Sequence, residues 1–471
     1  MSKPLKIFTL AALIIAAVIL LAIAPAILLA AFALGILIIV HELGHFLAAK
    51  HAGVWVERFS IGFGPKLLAK TRGDTEYCLC LVPLGGYVKL HRMLEEEPIV
   101  ESREAEAFFN KPYGKKMYII TAGVIFNILF AVLLLAVKNM TGYHVFPPIV
   151  DNVQEDSAAA VAGFLPSDEI IAVDGQRIRS WEEFLEKLTP TAKYPIQVSV
   201  QRGAESAVIP FTPNFTEDKD IFGDDVLSAD TGLSLYIPAK VGSLVFGMPA
   251  EAAGILAGDT IASINGEPVA EWSDVAKIMK RSIAQEEGAP LLQENVPPLT
   301  VEVERAGSIV ALQATPKVME DGSLLLGISA PAGSILIREP PHMALYHGFT
   351  QTVQITKLIY KGIGKLITGK VSKDNLGGPI MILAEGANSA KAGFGYYILF
   401  IALISINLGI LNILPIPVLD GGYVVLFTVE KVTARKVGRF ARECFQTAGL
   451  AMLCLLMVFA MYNDIVRFFF K

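Results

Sequence analysis

Three side chains able to do chemistry stand together in "IIVHELGHFLAAKH", residues 38–51: His41, Glu42 and His45. On a helix, positions i and i+4 lie one turn apart on a common face. His41 and His45 can therefore hold one ion between them, with Glu42 projecting beside them. This is the His-Glu-x-x-His pattern of two zinc ligands and a general base. Two histidines at this spacing on a soluble surface would mean little. Here no charged residue occurs between Ile7 and Val40, and imidazoles and a carboxylate at membrane depth are costly enough to be functional by default. The setting indicates metal binding.

Zinc needs a third protein ligand. His51 falls ten residues after His41, but the pattern that uses a histidine there needs a glycine at residue 48, which is alanine. On a continuing helix His51 sits roughly 240° around from His45, so it reads as an interfacial side chain. The distant candidate is Asp420 in "LNILPIPVLDGG" (411–422), the only acid between Glu385 and Glu430. Pro415 and Pro417 cannot continue a helix, Gly421 and Gly422 let the chain turn again, and irregular backbone at membrane depth lines protein or a wet cavity. The aspartate either reaches an ion or caps the element that follows.

These residues need elements to carry them. Of the 471 residues 53% are hydrophobic and 18% charged, which indicates a membrane protein with a sizeable polar part. A net charge of −5 offers no basic field for nucleic acid. Four apolar runs are long enough to span: 7–40, 118–137, 396–419 and 445–463. The first is about 50 Å as one helix. With Pro25 inside it, 7–23 reads as an extra span or signal-like segment before a histidine-bearing helix at 26–48; one kinked helix and a removed signal peptide are the other readings. Basic residues from Lys50 to Lys116, and the stretch 430–442, place those segments in the cytoplasm and the polar stretch 140–392 outside. Cys78, Cys80, Cys444 and Cys454 are too few for a disulfide framework and read as reduced. The stretch 75–90 reads as two strands joined around Pro83–Gly86.

The outer stretch repeats itself: "AGFLPSDEIIAVDGQRIRSW" (162–181) aligns with "AGILAGDTIASINGEPVAEW" (253–272). Each copy reads as a strand, an Asp-Gly or Asn-Gly turn and a short helix. Each resembles a PDZ domain, a fold that binds peptides by strand addition; the first copy has Ser167 where the second keeps Gly258. "GLSL" (232–235) reads as either a carboxylate-binding loop of the second copy or an ordinary strand start.

Taken together, His41–His45, Asn412, Pro415, Pro417 and Asp420–Gly421, with the repeat between them, resemble the site-2 protease family of intramembrane zinc metalloproteases. "RFSIGFGPKL" (58–67), "LVPLGGYVKL" (81–90), "NLGGPI" (375–380) and the pair Gly123 and Asn127 are similar to its segments, although Val124 stands where a proline is usual. The resemblance implies a polytopic α-helical membrane protein with a membrane-associated β-hairpin and two extracytoplasmic PDZ-like α+β domains inserted between core spans. The expected organisation is an extra segment at 1–25, a first catalytic part at 26–142, PDZ-like domains at 143–230 and 231–335, and a connector plus second catalytic part at 336–471. It implies Zn2+ on His41, His45 and Asp420, Glu42 as the base, and substrate contacts at Asn412, Asn407, Gly85 and Gly86. The implied substrate is a single-span membrane protein, an anti-sigma factor or a remnant signal peptide, cut after an upstream site-1-type protease. The implied place is the bacterial inner membrane, with the PDZ-like pair either filtering substrates or binding a peptide. A silent PDZ-bearing scaffold is the alternative; a metal transporter would need polar residues through several spans.

Overall fold

A computed structural model of the chain describes residues 25–93, 100–220, 222–245, 247–283, 296–319, 323–331, 333–369 and 377–469. The expected extra segment before residue 25 lies outside the described residues. The chain forms two units, one from the residues up to Thr141 and from Glu339 onward, the other Gly142–Arg338.

The first unit is helical. Its helices are α1 (Pro25–His51), α2 (Tyr113–Thr141), α3 (Pro341–Ile367), α4 (Pro379–Ala392), α5 (Phe394–Ile413), α6 (Asp420–Thr433) and α7 (Arg439–Phe469). Four helices among the described residues, within α1, α2, α5 and α7, are long and apolar enough to cross a membrane. Pro25 opens α1 at a position where its missing N–H is not needed. The third run ends earlier than the sequence suggests: α5 stops at Ile413, because two prolines follow. The last run begins earlier, at Arg439.

Small residues let these helices meet closely. A Cβ on Gly44 of α1 would lie 2.5 Å from the Ala122 carbonyl oxygen of α2, and one on Gly348 of α3 would lie 2.7 Å from the Val132 oxygen. Ala344, Gly348 and Thr352 form the buried face of α3, so the expected connector is a full helix packed on α2. Asp464 of α7 is fully buried and accepts from the backbone N–H groups of Gly378, Ile380 and Met381 at 2.8, 2.9 and 3.1 Å, which ties the start of α4 to the end of α7.

Between α1 and α2 lie two long strands, β1 (Val56–Arg72) and β2 (Thr75–Leu90). The expected join around Pro83–Gly86 is present, but the expected hairpin is corrected in its pairing: the two halves of 75–90 pair with β1, not with each other. The chain reverses at Gly73–Asp74, where Gly73 has φ +60°; the signal was the short Gly-Asp turn after Arg72. Ala69–Arg72 pairs with Thr75–Cys78, while Arg58–Ile61 pairs with Gly86–Lys89, so the bend around Pro83–Gly86 folds the far half of β2 back onto β1.

The second unit contains two copies of one arrangement. In the first, strands are ordered 176–177, 169–173, 196–202, 205–211; in the second, 267–268, 260–264, 299–305, 308–314. Both carry a register shift at the same place, Ile170/Ala172 and Ile261/Ser263. Both turn through residues with positive φ, Asp174–Gly175 and Asn265–Gly266, as the alignment implies. Ser167 holds a φ of +72° where Gly258 has +95°, so the substitution keeps the left-handed turn.

The aspartate shared by both copies anchors them. Asp168 accepts from the Leu165 N–H and from a fork of Arg202 at 2.7 and 2.9 Å, and Arg202 also reaches the Gly163 carbonyl. Asp259, Leu256, Arg305 and Gly254 repeat each bond.

One boundary moves. Leu233 and Leu235 pack on the core of the first copy, and Leu233–Ser234 pairs with Asn152–Val153. "GLSL" therefore belongs to the first copy, so residues 231–235, expected to open the second copy, complete the first. The core of the second begins at Ala239. The strand's partner is about 80 residues away in the chain, which local pattern does not reveal.

Burial opposes ionisation of Asp168, but the Arg202 guanidinium and the Leu165 amide more than offset this and hold its carboxyl below the usual range; Arg305 does the same for Asp259. A carboxyl depressed in the folded state stabilises fully above its unfolded value, and the contribution is lost as pH falls through the folded value. Asp168→Asn and Asp259→Asn should each cost roughly 1–3 kcal/mol at neutral pH. That deficit should shrink as pH falls below 3.8, the ordinary aspartate value. Denaturant midpoints read by tryptophan fluorescence at several pH values check this; a deficit independent of pH contradicts it.

Candidate metal centre

The site is assembled from α1, α2, α5 and the start of α6. One helical turn on α1 brings the Nε2 atoms of His41 and His45 to 3.2 Å from each other. Asp420 Oδ2 lies 3.2 Å from the first and 3.3 Å from the second. Three acceptor atoms thus form a nearly equilateral triangle. Tetrahedral zinc ligands at about 2.0–2.1 Å from the ion stand about 3.3–3.4 Å from one another, so the residues present fit that ion. Asp420 Oδ2 is also buried without a well-aligned hydrogen bond among the described residues. A buried carboxylate oxygen facing two imidazole nitrogens without donors aimed at it is expensive unless a cation lies between them.

Each of the two imidazoles is held by a named neighbour. His45 Nδ1 donates to the Ile119 carbonyl oxygen of α2 at 2.8 Å, which leaves Nε2 free of its proton and turned to the centre. His41 Nδ1 lies 3.4 Å from the Asn127 side-chain amide. Asn127 is fully buried, and its Oδ1 has no other hydrogen bond among the described residues; with the amide turned about, that oxygen accepts the Nδ1 proton and fixes the same tautomer. Ser405 of α5 donates to the Asn127 carbonyl oxygen at 2.8 Å and so ties α5 to the same turn of α2.

Asp420 reaches the histidines because the chain between α5 and α6 is tightly folded. Val418 has φ +79°, a strained value for a β-branched residue. A Cβ on Gly421 would lie 2.0 Å from the Leu414 oxygen, and one on Gly422 2.5 Å from the Ile416 oxygen. Only glycine tolerates that approach. Asp420 is the first residue of α6 and makes no side-chain cap, so of its two expected uses the structure displays the turn toward the histidines.

Gly123 of α2 matters for the same reason. A Cβ there would stand 2.4 Å from His45 Nε2 and 2.7 Å from His41 Cε1. The sequence flags Gly123 and Asn127 only as a motif; the Ile119 carbonyl, a backbone atom, leaves no sequence signal.

The remaining expected site residues divide. Asn412 approaches His41 Nε2 through its Nδ2 at 3.3 Å and stands at the centre. Asn407, on the same helix, makes no hydrogen bond to the described residues of the centre. A Cβ on Gly86 would come within 3.3 Å of Glu42 Cγ, so the far half of β2 lies against the turn of α1 that carries Glu42. Gly85 packs elsewhere: a Cβ on it would collide with the Phe63 ring. His51 contacts the Tyr118 hydroxyl at 3.2 Å, away from the cluster. Among the described residues the one His/Cys/Asp/Glu group fit for a metal is His41, His45 and Asp420.

The family model of peptidase family M50 matches residues 29–456. The chain belongs to that family. This M50 peptidase is 34% identical over 454 residues to the regulator of sigma-E protease RseP of Salmonella typhimurium, covering 92% of this chain and 96% of the relative. Identity to the protein of that name in Escherichia coli K12 is 33% over 457 residues, with the same coverage. A relative from Pasteurella multocida, named as a zinc metalloprotease, is 34% identical over 451 residues, again at 92% and 96% coverage. The M50 peptidase is accordingly a site-2-type zinc metalloprotease of the membrane, an intramembrane endopeptidase.

Gly123→Ala is expected to abolish tight zinc binding, since its methyl cannot coexist with both rings. Asn127→Leu should weaken zinc affinity by about 10–100-fold while the protein still folds. Zinc retained against graded chelator, measured by elemental mass spectrometry on the purified protein, checks both. Wild-type retention in Gly123→Ala would refute the packing argument.

Proposed function

We propose that His41, His45 and Asp420 hold the zinc, and that Glu42 is the catalytic acid–base for hydrolysis of a peptide bond within a substrate's membrane segment. The observation that supports this most is the triangle of two Nε2 atoms and Oδ2 with sides of 3.2–3.3 Å, one residue away from a carboxylate on the same helix turn. Bound zinc supplies a water of lowered pKa and polarises the scissile carbonyl. Glu42 then takes the water's proton and hands it to the leaving amine. Asn412, whose Nδ2 sits beside His41 Nε2, is placed to donate to the oxyanion.

A helical substrate hides its peptide bonds in its own hydrogen bonds, so it must be drawn out first. Gly86–Lys89 of β2 pairs with β1 on one side, lies against Glu42, and has no further strand on its other edge among the described residues. A substrate segment adds to that edge and is presented in extended form. Gly86 permits the approach, having no side chain to fill it.

The substrate we infer is a single-span membrane protein of the anti-sigma factor type, in keeping with relatives named as regulators of sigma-E protease. An upstream protease trims it first. The protein sits in the bacterial inner membrane with 50–116 and 430–442 cytoplasmic, by their basic residues. Residues 142–338 are then extracytoplasmic, and their two copies are PDZ-like domains.

Glu42→Gln should stop cleavage of a single-span reporter in detergent while leaving zinc at the wild-type level. Cleavage at an undiminished rate would remove Glu42 from the chemistry. Gly86→Leu should lower turnover at least about tenfold, also with zinc intact, because a Cβ there meets the Ser60 carbonyl oxygen of β1 at 2.8 Å and Glu42 Cγ at 3.3 Å, which displaces the edge from Glu42. Full turnover in that variant would exclude strand addition at this edge.

A further inference from the structure

The sheet of β1 and β2 lays four segments side by side, in the order 66–72, 75–80, 58–61 and 86–89. The last is the edge beside Glu42. Side chains alternate along such segments. Phe59 and Tyr77 turn to α1, where their rings meet Phe46 at centroid distances of 5.4 and 5.9 Å. Their neighbours Arg58 and Glu76 turn to the opposite face. There one side chain from each segment joins a continuous chain of hydrogen bonds. Lys66 Nζ donates to the two Glu76 oxygens at 2.6 and 2.7 Å. Arg58 Nε donates to Glu76 Oε2 at 2.6 Å, and Arg58 Nη1 donates to the Tyr87 hydroxyl oxygen at 3.0 Å. The Phe63 ring stacks on Tyr87 at 6.2 Å with 12° between the planes.

Stability does not account for this chain. Its three charged side chains remain partly exposed, and exposed ion pairs contribute little to folding. What they supply is direction. A guanidinium is planar and holds its donors at fixed angles, so Glu76, gripped by Lys66, sets how Arg58 presents Nη1 to Tyr87. The edge has need of such a hold. On its α1 face Gly86 offers no side chain, and Val88 packs among apolar neighbours, a non-directional attraction that leaves the strand free to slide or tilt. The directional side-chain holds lie on the other face, Tyr87 on Arg58 and Lys89 on Glu57.

We propose that Arg58 is a positioning residue for proteolysis: oriented by Glu76 and Lys66, it holds Tyr87 and so fixes the edge 86–89 at the height from which an extended substrate backbone meets Glu42 and the metal centre. The proposal rests on the reading of that edge as the place of strand addition and names the side chains that set its geometry. A misplacement of about 1 Å in such a presentation costs about 100-fold in rate.

The test uses the full chain in detergent and two zinc-binding probes. Acetohydroxamate needs only the metal, whereas a capped peptidyl hydroxamate is long enough to lie along the edge. Tyr87→Phe removes the hydroxyl and keeps the ring on Phe63; Arg58→Gln and Glu76→Gln break the chain further back. Peptidyl hydroxamate should bind about threefold or more weakly to Tyr87→Phe, and about tenfold or more weakly to Arg58→Gln and Glu76→Gln. Acetohydroxamate affinity and zinc content should stay at the wild-type level in all three. The kcat/KM for a single-span reporter should fall in step with the peptidyl compound. Lys66→Arg, which keeps a cationic donor for Glu76, should behave as wild type. Equal loss of both hydroxamates would assign the chain to upkeep of the metal centre and overturn the proposal. Wild-type affinity for the peptidyl compound in Arg58→Gln and Tyr87→Phe would overturn it too. A peptidyl hydroxamate N-methylated at the amides that pair with the edge separates the two readings. Undiminished binding of it to wild type would remove strand addition, and the basis of the proposal with it. Weakened binding of it beside unaffected variants would leave strand addition standing and remove the role of Arg58 alone.

Discussion

Three electron-rich atoms held 3.2–3.3 Å apart inside a bundle of apolar helices is the constraint on which the first unit depends. Without a cation at the centre, lone pairs would face each other in a medium too poor in water to relieve them. The arrangement is therefore held from outside. Ile119 and Asn127 fix the outer ring nitrogens, Ser405 fixes Asn127, and a folded-back loop delivers Asp420. These restraints come from several helices, so the centre and the packing of α1, α2, α5 and α6 specify one another. This is the sense in which a site built on rigid elements gains precision over one built on free loops.

Glycine is the means by which backbones come close enough for that. Gly44 admits the Ala122 carbonyl, Gly123 admits the two imidazoles, and Gly421 and Gly422 admit the carbonyls of the preceding loop. In lipid there is no hydrophobic gain from bringing two helices together, so close packing of small residues supplies the attraction. The same glycines that let the helices associate leave room for the imidazoles and for the loop that carries Asp420. A methyl at any of these positions opposes both at once.

How much of this the sequence discloses depends on the range of the interaction. His41, Glu42 and His45 are legible because one helical turn relates them. The turns Asp174–Gly175 and Asn265–Gly266 are legible because φ above zero demands particular residues locally. The span limits, by contrast, follow from where prolines and caps interrupt helices, and hydropathy alone overran Ile413. The β1–β2 pairing was half visible: the alternation in 75–90 showed, but the partner strand 56–72, with its Gly-Phe-Gly-Pro interruption, did not read as one. "GLSL" does start a strand, one of its two readings, but its allotment to the second copy failed for a deeper reason. Its partner Asn152–Val153 lies at the far end of the copy, so proximity along the chain pointed to the wrong neighbour. The Ile119 carbonyl has no side-chain signature at all.

The two copies in the second unit separate what holds a fold from what it can do. Both keep the buried aspartate, its arginine fork, the amide three residues earlier and the register shift in the same strand. These interactions share one rationale: a buried carboxylate is tolerable only when every oxygen is occupied, so neither copy can vary them singly. The faces away from that anchor carry no such obligation. Beside Gly232 stands Ser157, whereas the matching neighbour of Gly327 is Met248, a longer apolar side chain. The strand edge of one copy and that of the other can thus diverge in polarity while the frame stays fixed. A duplicated domain whose frame is locked by a buried ion pair is free to assign different surfaces to its two copies.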